Sequence, residues 1–540
     1  MEVDLVTALA IEAIVLLAYY YAYRKYQYFL SKPVPCLKPT LFLGSTAPML
    51  FRQRDMPSQI QIYYDTFPDA KLIGLYDRMN PIYLLRDPKM IKKLGVKDFN
   101  YFPDHAPFMT NGKDEEDSGK SLFGNSLFSL RGQKWRDMRA TLSPAFTGSK
   151  IRHMYEFVAK CGQSMVQFLK AEAVQGKELE LDMKDVFSRF GNDVIATVAF
   201  GIEVDSLRDR ENDFYVKGKQ LLRFDSILVL VKMISIMMMP KLMEKLGVDF
   251  VDPKLTQYFK NMITDNMKQR QAQGIIRNDM IHMLMEVKKG SLKYQDEEMS
   301  VKDAGFATVE ESTVGKASHT RVWKDNELIA QCFLFFLAGF DSISSAMCFL
   351  AYELCLNPEV QQRLYEEIVE TDRSLNGKPL SNEALQKMVY MDMVVSEGLR
   401  KWPPGIIMDR FCTKDYVYDD DQGTRFLIEK GRTVWFPAMA IHRDAKYYPN
   451  PDKFDPERFS EENRSKINSG AYMPFGVGPR NCIGSRLALM EVKSVLFCLL
   501  KDFRLERTAR TEDTVKLSKS SLGLNAENGI WLKLKPRSGL

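Results

Sequence analysis

The sequence is short of the residues that mark a stapled extracellular fold or a metal cage. Only eight of its 540 residues are cysteine: Cys36, Cys161, Cys332, Cys348, Cys355, Cys412, Cys482 and Cys498. No two form a C-x-x-C pair. That excludes a disulfide scaffold and a structural zinc site. It leaves reduced thiols in a cytosolic setting, unless one of them does chemistry. Histidine is scarcer still, with only His105, His153, His282, His319 and His442 to partner a thiol nucleophile. An excess of one charge is also missing: 75 Lys and Arg stand against 70 Asp and Glu, a net +5. Nucleic acid is therefore not the main partner. With 45% hydrophobic and 27% charged residues, disorder and low-complexity architectures are excluded. No Gly/Ser-rich or Pro-rich linker and no internal repeat divides residues 40–540. One large domain is expected, against a prior of roughly 150 residues per domain.

Long apolar runs are present, and the first changes the class. Leu5 to Tyr23 is broken only by Thr7 and Glu12, and about 20 apolar residues span a bilayer as a helix. Glu2 and Asp4 precede it, and Arg24, Lys25, Lys32 and Lys38 follow. The start is acidic, and the end carries Tyr19, Tyr20, Tyr21 and Tyr23. A cleavable signal peptide needs a basic start and small residues at its end. The positive-inside rule places the following chain in the cytosol, and the tyrosines suit the interfacial belt. The alternative is a buried N-terminal helix, and Glu12 would cost a few kcal/mol at mid-membrane. The division is then an anchor at 1–25, a proline-rich hinge at 26–40 (Pro33, Pro35, Pro39) and a body at 41–540. Proline stiffens such a hinge into a semi-rigid arm.

The body reads as mainly α with small β-sheets. Helical periodicity covers Lys150–Leu169, Met183–Phe200, Asp325–Leu356, Glu359–Asp372 and Ser381–Lys401. Strand-like pieces are Lys71–Leu75, Ile82–Leu85, Thr433–Pro437 and Ile530–Leu534. Asn111–Lys120 and Lys288–Asp325 are polar and aperiodic, and read as surface loops.

One cysteine sits in a distinctive setting. In PFGVGPRNCIG, Pro474–Gly484, two early glycines and a proline make a tight loop that other backbone can approach closely. Ser485 to Phe503 continues as an amphipathic helix, which puts Cys482 at a helix N-terminus. The macrodipole there and the nearby Arg480 favour a thiolate. Such a thiolate could be a nucleophile, a redox thiol or a metal ligand. The glycine spacing does not match a dinucleotide-binding fingerprint.

F-x-x-G-x-R-x-C-x-G, complete here as Phe475, Gly478, Arg480, Cys482 and Gly484, resembles the cysteine-loop signature of the cytochrome P-450 family, the haem-thiolate monooxygenases. The resemblance extends along residues 30–535. Trp135 and Arg139 match W-x-x-x-R, and Ala338, Gly339, Phe340, Asp341 and Ser342 match the central A/G-G-x-D/E-T. Glu397 and Arg400 match E-x-x-R, and Pro456–Phe459 with Arg458 matches P-E-R-F. Wording such as VKDFNYFPDH is most like the insect xenobiotic-metabolising branch.

The resemblance implies a fold and a chemistry. The fold is the P-450 fold behind one N-terminal transmembrane helix. Cys482 is expected to bind the iron of haem b, and a thiolate ligand favours O–O cleavage. Phe475 would shield the sulfur, while Gly484 and the other loop glycines let N–H groups approach it. Trp135, Arg139, Arg410 and Arg480 would hold the propionates. Glu397, Arg400 and Arg458 would form a buried ion triad under the cysteine loop. Small Ala338 and Gly339 would admit haem and O2, and Asp341 with Ser342 would relay protons. Serine stands where the family commonly has threonine.

Partners follow from the same resemblance. Ile227–Met239 (ILVLVKMISIMMM) corresponds to the membrane-touching lid of the substrate channel, a plain core helix being the alternative. A pocket wall is expected from Pro103–Leu127, Phe336, Phe340, Ile406, Ile407 and Leu522, taking a lipophilic substrate. Electrons would come from NADPH–cytochrome P-450 reductase, with cytochrome b5 as a further donor. A basic patch of Lys134, Arg136, Lys150, Arg152, Arg464 and Lys466 would steer that partner. The implied location is the endoplasmic reticulum membrane, with the body on its cytosolic face. Two alternatives stay open: a haem-thiolate isomerase or dehydratase on the same fold, and a haem-binding protein without turnover.

Overall fold

A computed structural model describes residues 5–107, 121–173, 178–222, 226–246, 248, 251–277, 279–289, 305–317, 321–420, 422–521 and 523–537. Asn111–Lys120 and Leu522 lie outside the described residues.

Helix α1, Leu5–Tyr26, stands apart with its apolar side chains exposed: Ile14 is 65% and Leu17 67% accessible. Water would not tolerate such a surface, and a bilayer would. The proline segment that follows is docked against the body. Phe29 is buried, edge-on to Tyr76 and Tyr83. Lys32 pairs with Glu429 at 3.0 Å, and the Pro35 carbonyl accepts from Gly74 N–H. The expected semi-rigid arm is thus held to the sheet by its aromatic residues.

The principal helices of the body are α2 (Gly132–Leu142), α3 (Gly148–Glu172), α4 (Met183–Ala199), α5 (Ile227–Met238), α6 (Asp325–Leu356), α7 (Pro358–Ser374), α8 (Val389–Lys401) and α9 (Ser485–Asp502). Helix α6 has the length and apolarity of a membrane span, yet two thirds of its apolar window is buried in protein. It is packed along α4 and contacts α8 and α9. Its apolar all-round surface fits a helix covered on every side.

The periodic stretch Ser381–Lys401 is two helices. Asn382–Gln386 ends before Met388, which is extended at φ −75°, ψ 99°. Helix α8 then starts afresh because Glu367, on α7, accepts from the N–H groups of Tyr390 and Met391, both at 2.8 Å. A carboxylate at those free donors stabilises the new helix start.

Nine short strands make three sheets among the described residues. The four-stranded sheet has the order β1 (Leu72–Asp77), β2 (Asn80–Leu85), β7 (Thr433–Phe436), β4 (Met408–Phe411). Only the β2–β7 pair is parallel. Strands β3 (Leu179–Asp182), β9 (Trp531–Pro536) and β8 (Phe503–Arg507) form a second sheet, and β5 (Tyr416–Asp419) with β6 (Arg425–Ile428) a third. The large sheet and the docked N-terminal segment share an aromatic core (Phe29, Tyr63, Tyr64, Tyr76, Tyr83), separate from the helical core around α6. The cysteine loop and β4 meet between these two cores.

Candidate active site around Cys482

The cysteine loop is built on glycine. Gly478 has φ +72°, and an added Cβ would lie 1.8 Å from the Gly95 carbonyl oxygen. Neither the conformation nor the space admits a side chain. The Cys482 N–H donates to the Phe475 carbonyl at 2.8 Å, which folds the loop back on itself. Helix α9 starts at Ser485 with Gly484 as its cap residue, so Cys482 does precede a helix N-terminus. Burial pushes the thiol up, outweighing the Gly484 N–H and the Arg139 charge that pull it down. A coordinated metal would reverse this, because a ligating thiol is deprotonated outright.

An ion triad holds the scaffold behind the loop. Arg400 meets both Glu397 oxygens, at 2.7 and 2.9 Å. It also donates to the carbonyls of His442 and Pro451, each at 2.8 Å. Arg458 stands 3.4 Å from Glu397 and donates to the Asn450 carbonyl. His442 carries the link onward, since its Nε2 accepts from Met473 N–H at 2.9 Å, beside the start of the loop. Burial, helped by Arg400, drives the His442 pKa down to about 3, so the ring is neutral and can accept.

Cys482 faces a cavity of about 400 Å³. Its opposite wall is one face of α6: Phe335, Ala338, Gly339, Ser342 and Ala346. Those spacings share a helical face. Phe336 and Phe340 fall on the other side and pack edge-on or tilted against Phe200, Phe214, Phe259 and Tyr215. They are core residues, and the expectation that they line the pocket is corrected. Ile406 and Ile407 do not line this cavity either, whereas His105 and Leu127 from the Pro103–Leu127 loop do. Gly339 serves packing as well as access, for a Cβ there would meet Ile195 of α4 at 2.9 Å.

Ser342 and Asp341 are adjacent in sequence and separated in space. The Ser342 hydroxyl borders the cavity and donates to the Ala338 carbonyl. The Asp341 carboxylate accepts from Lys184 at 2.9 Å, and Lys184 also donates to Ser344 and Ser345. Asp341 is not on the cavity wall.

The cavity rim is cationic. Arg480 lies over the Trp135 ring at 4.1 Å, pairs with Asp104 at 3.0 Å, and donates to the Pro103 and Leu130 carbonyls. Burial pulls it down to about 9, against the pull of Asp104. Arg410, on β4, donates to the Asp409 and Val477 carbonyls, while its buried Nε has no partner among the described residues. Burial brings it to about 10. Arg480 has Asp104 as its counter-ion, whereas Arg410 makes no direct ion pair among the described residues. Arg139 pairs with Glu311 at 2.7 Å and with Asn481.

These features fit haem. Among the described residues, no group of three or more His, Cys, Asp or Glu could hold a bare metal ion, so a single thiol suits iron whose other ligands come from a porphyrin. The apolar walls suit the macrocycle, and the unfilled Arg410 Nε suits a propionate. Cys482 would hold the iron, and Arg410 and Arg480, with Trp135 beside them, border the cavity and would hold the propionates, while Arg139 also borders it but is engaged by Glu311 and Asn481. His105, from the expected loop, pairs with Asp409 at 2.8 Å. Two further residues at the site were not anticipated from sequence. Glu491 borders it from α9, one turn beyond Leu487 and Ala488, with burial pushing its carboxyl up to about 8. Glu311 reaches the site from a stretch expected to be a surface loop. An acid within the apolar run of α9 was the one signal available for Glu491.

Of the expected basic patch, Lys134 is buried and paired with Glu327 at 2.7 Å. It is withdrawn from that surface by its place on the inner side of α2.

Comparison with known proteins agrees with this site. The Cytochrome P450 family model matches residues 35–532. The chain is 42% identical over 523 residues to "Probable cytochrome P450 9f2" of Drosophila melanogaster, covering 97% of each chain. It is 40% identical to "Cytochrome P450 9e2" of Blattella germanica, covering 98% of this chain and 97% of the relative. It is 35% identical to "Cytochrome P450 6k1" of Blattella germanica, covering 96% and 95%. A thiol under an apolar, cation-rimmed cavity and a family match over nearly the whole chain lead to one conclusion: the chain belongs to the cytochrome P450 family and is an enzyme of the monooxygenase class.

Proposed function

We propose that this P450 inserts one oxygen atom from O2 into a lipophilic substrate, a xenobiotic or an endogenous lipid, using NADPH-derived electrons from a flavoprotein reductase. The observation that carries the reading is Cys482, aimed from its glycine loop into an apolar cavity whose far wall presents Ala338, Gly339 and the Ser342 hydroxyl. Haem b, when bound through the Cys482 thiolate, supplies the oxygen-activating iron chemistry. The protein's own residues do the rest. Ala338 and Gly339 keep the wall thin, and the apolar lining excludes water and selects apolar substrate. Ser342 holds a proton at Oγ on the cavity side. The Asp341 carboxylate and the Lys184 ammonium pair on the other side of α6, where Lys184 and Ser345 border a polar cavity with Asp182, Ser518 and Glu527. Protons would enter from that polar side and reach the cavity at Ser342.

The membrane reading rests on α1 and on a second apolar surface. Leu228 and Val231 of α5, and Met239, Leu242 and Leu246 beyond it, are exposed, which supports a lid that touches the bilayer more than a core helix. With α1 as anchor, the body would sit on the cytosolic face of the endoplasmic reticulum. Arg136, Lys150, Arg152, Arg464 and Lys466 remain as a basic face for an acidic reductase.

The test is the spectrum of the reduced, CO-bound protein, wild type beside Cys482→His. The thiolate-shifted Soret band should be present in the wild type and lost in the variant. A wild type without that band would overturn the reading. Product formation should require both NADPH and reductase.

A further inference from the structure

Within the polar stretch before α6, residues 305–317 lie as a strap across the outer side of the cysteine loop. At one end Phe306 packs edge-on against Phe459 and beside Tyr472, with centroids at 5.1 and 5.3 Å. Its N–H donates to Asp392 at 2.9 Å. At the other end Thr313, Val314 and Ala317 border a small pocket together with Gln133, Arg136, Asp137 and Ala140 of α2. Between these ends, Val309 and Glu311 border a small pocket together with Cys482, Ile483 and Arg486.

Glu311 is the centre of the strap. Its carboxylate accepts from Arg139 Nε at 3.1 Å and Nη2 at 2.7 Å, from the Ser143 hydroxyl at 3.0 Å, and from Ser312 N–H at 2.9 Å. Arg139 then reaches Asn481, next to the cysteine, through the backbone carbonyl at 2.8 Å and the side-chain oxygen at 2.7 Å. The Asn481 side-chain NH2 returns to the strap, donating to the Glu310 carbonyl at 3.1 Å. This closed circuit ties strap, α2 and cysteine loop together. It also distinguishes Arg139 from Arg410: most of the Arg139 guanidinium is engaged by protein, and its charge is matched by a protein carboxylate.

We propose that Glu311 is a positioning residue of the haem-thiolate site. It neutralises and aims Arg139, and with the Glu310 carbonyl it clamps Asn481, so that the strap covers the outer side of Cys482. The proposal rests on the haem-thiolate reading. It has an electrostatic consequence that a merely structural strap lacks. Without the Glu311 charge, Arg139 is left as an unmatched cation beside the sulfur. A nearby positive charge favours the reduced, more negative state of the iron centre, so the midpoint potential should rise.

The experiment uses the full-length holoenzyme in four forms: wild type, Glu311→Gln, Glu311→Asp, and Arg321→Ala. Arg321 is a control farther along the same connection, paired with Asp137 at 2.9 Å. Haem content, the reduced CO-bound spectrum and the midpoint potential are measured for each. Glu311→Gln should show a higher midpoint and a thiolate-shifted band that decays faster on standing. Glu311→Asp and Arg321→Ala should stay at wild-type values. If Glu311→Gln does not load haem while Glu311→Asp does, the clamp is supported by that contrast. A wild-type midpoint in Glu311→Gln would overturn the proposal. So would Glu311→Asp shifting as far as Glu311→Gln, or both failing to load haem, since charge would then not be what matters. A wild type without the thiolate band would instead sink the haem-thiolate reading itself.

Discussion

Arg400 and Arg410 are both fully buried, close in sequence, and unlike in their surroundings. Every nitrogen of Arg400 donates within the protein, to Glu397 and to the backbone carbonyls of His442 and Pro451. Arg410 faces the cavity, donates to two carbonyls, and leaves its Nε without a partner. A buried cation whose donors are all filled by the fold is scaffold. One that borders a cavity with a donor unfilled among the described residues can still take a ligand there.

The widest break of this comparison is Arg400→Leu. It strands Glu397 in the interior, at a cost of roughly 3–5 kcal/mol. The expected outcome is a large fall in thermal stability and little haem-loaded protein, read by the melting temperature and the Soret absorbance. Normal loading and stability would show that the triad is not scaffold. Arg410→Gln should leave the fold in place and loosen the ligand. One lost hydrogen bond to a charged group is worth about 1.5–3 kcal/mol, so haem transfer to a scavenger should speed up by at least about tenfold. An unchanged transfer rate would erase the contrast with Arg400.

Two smaller effects sharpen it. Ser342→Thr restores the β-branched alcohol, whose stiffer χ1 should lower the peroxide released per NADPH consumed. An equal ratio in the two proteins would mean that the hydroxyl alone suffices. Glu491 extends the comparison to an acid, for it too borders the cavity with no partner among the described residues. Burial holds its folded pKa at about 8, above the ordinary carboxyl value of 4.5. The folded state therefore keeps a proton that the unfolded chain releases, and stability falls as pH rises from 4.5 towards 8. Glu491→Gln, which cannot ionise, should raise the melting temperature at pH 8 and change it little at pH 5. Equal differences at the two values would show that Glu491 does not titrate there.

Much of this was legible in the chain because it is local. The span of α6, the i, i+3 pairing of Glu397 with Arg400, and the loop around Cys482 depend on neighbours a few residues away. Helix α8 was less legible, since its start is capped by Glu367 from another helix. The pocket wall went astray at Phe336 and Phe340, because an apolar helix gives no sign of which face meets a cavity and which meets other aromatic residues. Lys134 failed as a surface cation for a similar reason: its partner, Glu327, is distant in sequence.

By itself, then, the sequence determined the family chemistry: one thiol in a glycine loop, the helix that follows it, and an apolar N-terminal run with acids before it and bases after it. These are patterns of spacing and composition, and folding does not alter them. Tertiary structure decided the charge state and company of each group. It opened Cys482 onto the apolar cavity, turned Asp341 towards Lys184 and away from Ser342, and brought Glu311 to Arg139. Burial, Coulomb attraction and hydrogen bonding act over a few ångströms in space, and only the fold says which residues share them.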